Sequence, residues 1–192
     1  MKTIEEIKKE ALENHIPIME DEGMDFLCAF IREHNIRKIL EAGSAVGYSA
    51  IRMAMTDPEI RIVTIEKDAD RALLARENIE ASGYSAQIVS LCQDARKHQT
   101  EEVYDMLLID AAKTANEKIF QALSPYVRQG GYIVSDDIYF HGFPEHPEII
   151  RSKHFRELAA EVKKYRETRE KDPLYKTEYY AVGDGILISE KL

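Results

Sequence analysis

Acidic side chains follow the apolar runs that read as β-strands in this 192-residue sequence. Asp110 follows the run Met106–Ile109, and Asp136 and Asp137 follow Tyr132–Ser135. Because parallel strands end at one edge of a sheet, these three carboxylates are expected close together. Hard oxygen ligands at short range suit Mg²⁺, Mn²⁺ or Ca²⁺, so the sequence predicts a metal site. The alternative is that the acids only cap turns and begin loops.

A lysine lies next to the first of these acids. Lys113 follows Asp110 on the same turn and could act as a base, as an orienting cation or as an ion partner of the acids.

A glycine-rich stretch offers a second place for chemistry. Residues 36–51 read IRKILEAGSAVGYSAI, in which Glu41 ends an apolar run and Gly43 and Gly47 precede helix-forming residues. Glycines permit a tight strand-to-helix turn and a close approach of backbone to a ligand. The dinucleotide pattern G-x-G-x-x-G is absent, and an acid before the glycines suits an ammonium group better than a phosphate. The alternative is a tight turn that binds nothing.

Two further acids lie at predicted strand ends. Glu66 follows the strand-like run Ile60–Ile65, about 20 residues beyond the glycines, where a carboxylate can accept both hydroxyls of a ribose. The alternative is a solvated charge before a turn. Asp94 follows the run Ala86–Leu91 and could contact an adenine amine, although a capping role explains it equally well.

Strands that alternate with helices predict an α/β fold, a mostly parallel, doubly wound sheet with helices on both faces. A terminal hairpin with the turn Gly183-Asp184-Gly185 adds an antiparallel strand at the end, and two helices precede the first strand. We expect one domain over residues 1–192, with 1–35 as an N-terminal helical cap. Six helices are expected. Three have both ends predicted: Thr3–Asn14, Asp21–Glu33 and Glu148–Thr168. Of the others, one ends near Met55, one is capped by Asp68 and runs to Ser82, and one begins with a capping box at Thr114–Glu117.

Composition narrows the protein class. The formal net charge of −9 argues against a general nucleic-acid binder but leaves room for a local basic patch. No apolar run is long enough to cross a bilayer, and the N-terminal residues lack the apolar centre of a signal peptide. Cys28 and Cys92 give no disulfide framework. We therefore expect a cytoplasmic protein without membrane contact.

The ordered motifs resemble a known family. ILEAGSAVGYSA, TIEKD, LLIDAAK, IVSDDIYFHG and VGDGILIS, taken together, are similar to the cation-dependent class I O-methyltransferases of the catechol and caffeoyl-CoA type. The resemblance runs from about residue 15 to the end of the chain. It implies a Rossmann-like methyltransferase fold. Within the family, IPIMEDEG and GYSAIRMA most resemble the bacterial enzymes that methylate 5-hydroxyuridine in tRNA.

The resemblance implies S-adenosylmethionine as cofactor. The motif positions for the methionine end of the cofactor are Glu41, Gly43, Gly47 and Ser49. Glu66 matches the ribose-binding acid, and Asp94 and Ala95 match the adenine contacts. The remaining implied cofactor contacts are Met19, in the segment that closes over the cofactor, and Asp110.

The resemblance also implies a metal site and a catalytic lysine. Asp110, Asp136 and Asp137 match the metal ligands, with Mg²⁺ the expected ion and Mn²⁺ or Ca²⁺ the alternatives. Lys113 and Asp110 match the catalytic pair, and Glu178 lies roughly where catechol enzymes have a substrate-facing acid. Two positions depart from the pattern: Asp137 replaces the usual Asn, and Ala112 replaces an aspartate.

Two acceptors remain open at this stage. A uracil with adjacent O4 and 5-hydroxyl in the tRNA anticodon, the first choice, and a small catechol or phenol both offer two neighbouring oxygens. Residues 151–171 hold eight Lys or Arg against four Glu, which could form a basic face for an anticodon stem or an ordinary solvated helix. The family resemblance implies a homodimer, for which the helix Thr3–Asn14 is a candidate contact.

Overall fold

The computed structural model describes residues 1–192 as six α-helices and one seven-stranded sheet. In chain order the elements are α1 Ile4–Glu13, α2 Asp21–Glu33, β1 Lys38–Ala42, α3 Tyr48–Ala54, β2 Arg61–Glu66, α4 Ala69–Ser82, β3 Ile88–Cys92, β4 Tyr104–Ile109, α5 Asn116–Leu123, β5 Val127–Ser135, α6 Lys153–Glu170, β6 Tyr175–Tyr180 and β7 Ile186–Lys191.

The sheet confirms the predicted fold class. The strand order is β3-β2-β1-β4-β5-β7-β6, with β1 to β5 parallel and β7 antiparallel to both of its neighbours. Strand order therefore reverses between β1 and β4. In open α/β sheets, ligands bind in the crevice outside the carboxyl ends of the strands at such a switch point.

Pleating divides the apolar runs between two cores. In β4, Met106 and Leu108 face one side of the sheet, whereas Leu107 and Ile109 face the other. The first core is covered by side chains of α1 to α4, and the second by α5 and α6. A strand covered on both faces is continuously apolar, as β4 is from Met106 to Ile109.

Local signals at several helix ends act as expected. The Thr3 side chain forms a capping box with Glu6, and the Asp68 side chain accepts a hydrogen bond from the Arg71 amide at the start of α4. The same helix ends at Gly83, whose φ of 85° lies in the left-handed region. These caps satisfy backbone groups that a helix end leaves free.

Three predicted boundaries were wrong. The capping box at Thr114–Glu117 does not form, because residues 113–115 make a 3-10 turn and α5 begins at Asn116 without a side-chain cap. The helix expected from Glu148 begins at Lys153, where Ser152 caps it, since residues 147–149 form a separate 3-10 turn. The strand expected over Tyr132–Ser135 begins earlier, at Val127, so that Gly130 and Gly131 lie inside it.

No helix of the structure combines the length and the apolar character that a membrane span needs.

Candidate active site

The ends of β1 and β4 meet at Gly43. The Asp110 amide donates to the Ala42 carbonyl at 3.0 Å, and a Cβ on Gly43 would lie 1.8 Å from the Asp110 carbonyl oxygen. Only glycine fits there, and its φ of 105° is also one that other residues rarely adopt. The glycine loop, Gly43–Gly47, therefore lies against the first of the three aspartates at the switch point.

The glycine loop contains a buried hydroxyl without a partner. Ser44 is buried, and its Oγ has no hydrogen-bond partner. Buried polar groups are nearly always satisfied, so each exception asks for an explanation such as an absent ligand. A polar ligand at this loop would supply the missing partner, and this observation fits the cofactor that the resemblance implies.

Glu41 was predicted to end the first strand, but β1 continues to Ala42 and Glu41 lies inside it. It is fully buried, and its two oxygens accept hydrogen bonds of 2.5 Å from the hydroxyls of Ser49 and Thr64. Burial, only partly offset by these hydroxyls, raises the pKa of Glu41 to about 7. The carboxylate thus joins β1 to β2 and to the first turn of α3, and its role toward an ammonium group stays a prediction.

Glu66 connects the glycine loop to the end of β2. Its oxygens accept hydrogen bonds from the amides of Ala45, at 3.1 Å, and Asp68, at 2.9 Å. The side chain is buried rather than solvated, which excludes the reading of Glu66 as a free surface charge. Its ribose-binding role stays a prediction.

Asp94 performs the capping role that the sequence left open. Its carboxylate accepts the Arg96 amide at 3.0 Å and pairs with the Arg96 guanidinium at 2.6 Å, and this pairing lowers the pKa of Asp94 to about 2. The neighbouring Ala95 is half-buried against the second core. Met19 is buried in the first core, beside Gly23 at the start of α2. Their contacts with a cofactor stay predictions.

The three aspartates follow the ends of β4 and β5. Asp136 is buried, Asp110 and Asp137 are half-buried, and Asp137 has a left-handed φ of 59°. Lys113 forms an ion pair with Asp137, and its ammonium lies 4.7 Å from the centre of the Phe140 ring. The structure thus brings the predicted catalytic lysine to one of the predicted metal ligands.

Negative charge is concentrated at Asp110, Asp136 and Asp137. Burial is the main cause of a raised pKa at Asp110 and Asp136, and repulsion between carboxylates adds to it. Burial also raises the pKa of Asp137, although the hydrogen bond from Lys113 opposes the effect. A single ammonium does not neutralise three carboxylates. Further positive charge would be favourable at this position.

The three aspartates are chemically suited to a hard divalent cation, because all of their ligating atoms are carboxylate oxygens. However, the structure contains no group of three or more His, Cys, Asp or Glu side chains that is arranged to hold a metal ion. The predicted convergence of all three aspartates is therefore not seen, since Asp137 is engaged by Lys113. Metal binding stays a prediction.

The predicted basic segment, residues 151–171, has only part of its positive charge available to contact a partner. Arg169 is buried, lies 4.0 Å from the centre of the Phe120 ring and pairs with Glu117, while Arg166 pairs with Glu145 and Glu170. Two of the eight cations are thus used in packing. The remaining members of the set are exposed on or near α6: Arg151, Lys153, Arg156, Lys163, Lys164 and Lys171.

Glu178 lies on the exposed side of β6. It pairs with Lys176 at 2.8 Å and accepts a hydrogen bond from the Tyr180 hydroxyl. These contacts already pair the Glu178 carboxylate at the surface, so its charge does not require the substrate-facing role that the resemblance implied.

Sequence reasoning missed Ser44, Thr64 and Asp184. Ser44 lies within the glycine loop, Thr64 supplies the second hydroxyl to Glu41, and Asp184 raises the pKa of Asp136 and Asp137 by repulsion. A hydroxyl inside a glycine loop is a usable signal. Thr64 and Asp184 are recognisable only once strand register is known.

Known proteins place the chain in a family. A protein of Arabidopsis thaliana named "putative caffeoyl-CoA O-methyltransferase" is 27% identical over 186 residues, covering 94% of this chain and 79% of the plant protein. A Staphylococcus aureus crystal structure of the same name has a TM-score of 0.94 at 31% identity and covers 100% of this chain and 93% of the bacterial one.

A more distant structure shares the fold. The Bacillus cereus O-methyltransferase in complex with SAH has a TM-score of 0.81 at 22% identity, covering 100% and 92% of the two chains. The chain spans about half the length of the catechol O-methyltransferases it matches. The family model described as O-methyltransferase matches residues 1–192, so the chain belongs to the O-methyltransferase family.

Proposed function

We propose that the chain transfers a methyl group from S-adenosylmethionine to a hydroxyl of a planar acceptor, with the help of a divalent cation. The observation that carries the proposal is the meeting, at one switch point, of two features: a glycine loop with an unpartnered buried hydroxyl, and an aspartate group that holds a lysine. The first feature suits the cofactor, and the second suits the acceptor.

The cofactor part is supported by the glycine loop and by family membership. Ser44 has an unused buried hydroxyl, and Glu66 holds the Ala45 amide at the end of β2, where a ribose would lie. The Bacillus cereus relative binds SAH, the product form of this cofactor. Asp94 would contact the adenine, and Met19 would contact the cofactor from the segment that closes over it.

The acceptor part is supported by the charge and position of Lys113. Asp110, Asp136 and Asp137 would hold the cation, which lowers the pKa of a coordinated hydroxyl and fixes its position. Lys113 lies at these carboxylates and would take the hydroxyl proton or orient the resulting oxyanion. A fixed in-line arrangement of oxyanion and methyl group supplies much of the remaining acceleration.

We propose 5-hydroxyuridine at the tRNA wobble position as the acceptor. Tyr139, two residues after Asp137, has 49% of its surface exposed, and Phe143 is half-buried nearby, so aromatic rings are available for an unpaired base. Exposed cations on α6 could contact the phosphates around it.

A small catechol or phenol is the second candidate acceptor. It is favoured by the names of the relatives, which include catechol O-methyltransferases from Danio rerio and Niastella koreensis. Both candidates present two neighbouring oxygens to the same aspartates.

The two acceptors are separated by one experiment. Methyl transfer from labelled S-adenosylmethionine is followed to tRNA that carries 5-hydroxyuridine and, separately, to a catechol, each with and without Mg²⁺. We expect label in tRNA that depends on Mg²⁺. Label in the catechol alone would replace the tRNA proposal by the second candidate.

The metal role is tested by Asp136→Asn, which keeps the shape of the side chain and removes a charge. We expect a loss of kcat/KM of about 100-fold or more, with SAH affinity retained. Asp70→Asn, at an exposed position on α4, is the matched control. Full activity of Asp136→Asn, or the same activity after chelation of Mg²⁺, would contradict the metal role.

A further inference from the structure

The turn Gly183-Asp184-Gly185, between β6 and β7, lies between the start of α2 and the residues that follow Asp137. We propose that it positions the acceptor loop, residues 137–143, for methyl transfer, and that Gly185 is a positioning residue of the enzyme. The proposal rests on the proposed function, since the acceptor loop carries Asp137 and Tyr139.

Two short backbone hydrogen bonds join the turn to the acceptor loop. The Tyr139 amide donates to the Asp184 carbonyl at 2.6 Å, and the Ile138 amide donates to the Gly185 carbonyl at 2.9 Å. These amides directly follow Asp137. The turn therefore determines the direction in which the chain leaves β5 after the aspartates.

The fit between turn and loop leaves no room for a side chain at residue 185. Gly185 is buried with a φ of 84°, and a Cβ there would lie 2.7 Å from the Tyr139 amide nitrogen and 2.8 Å from the Tyr139 Cβ. The Tyr179 hydroxyl oxygen, also at 2.8 Å, could move, but the two Tyr139 atoms are backbone and the root of a side chain, which cannot rotate away.

The acceptor loop needs such support because its backbone is unusual. Asp137, Phe140 and His141 all have positive φ, at 59°, 42° and 56°. Non-glycine residues persist in this region only where the surrounding structure holds them. The two bonds from the turn, together with the Lys113–Asp137 ion pair, provide that restraint.

The other side of the turn is anchored on α2. The Gly183 amide donates to a Glu22 carboxylate oxygen at 3.4 Å, and a Cβ on Gly183 would lie 3.1 Å from the Gly23 amide nitrogen. The turn is therefore held between the start of α2 and the acceptor loop. It contacts neither the glycine loop nor Glu66 in these hydrogen bonds, so a change in it should affect the acceptor more than the cofactor.

The decisive variant is Gly185→Ala. We expect kcat/KM for the acceptor to fall about 10- to 100-fold, since small displacements of reacting groups are costly, while the Kd of SAH measured by calorimetry stays within about twofold. Gly130→Ala is the matched control, because Gly130 also has a left-handed φ, of 66°, but its added Cβ would meet only the end of the Arg128 side chain. Equal losses in both variants would overturn the proposal.

Two milder variants keep the test informative if Gly185→Ala does not fold. Gly183→Ala strains the same turn from the α2 side, where the nearest atom is 3.1 Å away, and should give a smaller loss of acceptor kcat/KM than Gly185→Ala at unchanged SAH affinity. Asp184→Asn keeps the backbone bonds and removes the charge, so the loss it causes should be smaller than that of Gly183→Ala. A large loss in Asp184→Asn together with none in Gly183→Ala would assign the effect to charge and overturn positioning by the backbone.

Amide hydrogen exchange separates this proposal from the proposed function. In Gly183→Ala or Gly185→Ala, protection of the Ile138 and Tyr139 amides should fall about tenfold, while that of the buried β5 amides stays unchanged. Unchanged protection would overturn the positioning role even in an active enzyme. A wild-type protein that labels neither acceptor would contradict the proposed function, whatever the exchange result.

Discussion

Glu41 carries a cost to stability that depends on pH. Its pKa is raised to about 7 in the folded protein, mainly by burial, from the ordinary value of 4.5. Between these pH values the folded state retains a proton that the unfolded state loses, so stability falls as pH rises from about 4.5 to 7. Well above pH 7 the penalty is complete, at about 3 kcal/mol.

Glu41→Gln should therefore stabilise the protein at high pH. We expect the free energy of unfolding, measured by urea at several pH values, to match wild type near pH 4 and to exceed it by about 3 kcal/mol at pH 8. The exposed Glu101→Gln is the control. A constant difference between variant and wild type across this range would show that ionisation of Glu41 is not the cause.

The buried Ser44 hydroxyl destabilises the ligand-free protein because it lacks a hydrogen-bond partner, and a bound ligand should remove this destabilisation. Ser44→Ala removes the unpartnered buried Oγ, so the ligand-free protein should be as stable as wild type or more stable by about 1 kcal/mol. SAH affinity should fall by roughly tenfold, which corresponds to the loss of one hydrogen bond.

Ser90→Ala is the control for Ser44→Ala, since Ser90 Oγ in β3 is also buried without a partner but lies outside the glycine loop. It should leave SAH affinity unchanged. Equal SAH affinity of wild type and Ser44→Ala in calorimetry would remove Ser44 from the cofactor site.

Among the elements, the contact between β1 and β4 depends on one glycine. Gly43→Ala would place a Cβ 1.8 Å from the Asp110 carbonyl, whereas Gly47→Ala meets its nearest atom, the Ala75 carbonyl oxygen, at 3.3 Å. We expect a loss of stability of about 3 kcal/mol or more for Gly43→Ala and about 1–2 kcal/mol for Gly47→Ala, by urea unfolding. Similar losses would mean that the strand ends move apart easily.

Elements with local signals were predicted well. Helix α4 has its capping aspartate at one end and a left-handed glycine at the other, and both act within one turn of the chain. The boundaries after β4 and β5 failed because tertiary contacts decide them. Residues 113–115 form a 3-10 turn with Lys113 paired to Asp137, a partner 24 residues away that no local pattern reveals.

The candidate site was predictable in its composition but not in its internal pairing. Residue type and position at strand ends identified the three aspartates, Lys113 and the glycine loop. The hydroxyl partners of Glu41 and the engagement of Asp137 by Lys113 follow from strand register and side-chain direction. Such information is absent from a single sequence.

For the whole molecule, net charge limits the strength of the proposed tRNA binding. With a net charge of −9, affinity should come from a few exposed cations, among them Arg151, Lys163 and Lys164. For about three phosphate contacts, the affinity should fall roughly 20- to 40-fold between about 50 and 200 mM salt. Filter binding of anticodon stem-loop RNA measures this dependence.

The matched variants for the salt prediction are Lys163→Gln with Lys164→Gln, and Lys9→Gln on α1 as control. The first pair should reduce the slope of log affinity against log salt by about 1.5–2, and the control should not. An affinity that does not change with salt would exclude phosphate contacts as the source of binding.

The position of β7 has a consequence for the order of assembly. β7 is the last strand in the chain, yet it lies between β5 and β6 and is antiparallel to both. During synthesis, β6 therefore has no neighbour in the sheet, and the amides of Ile138 and Tyr139 have no acceptors, until residues 184–191 have left the ribosome. The first strands can pair early, but the half of the site that we propose to receive the methyl group takes shape last, so a newly made chain would bind its cofactor before it could use it.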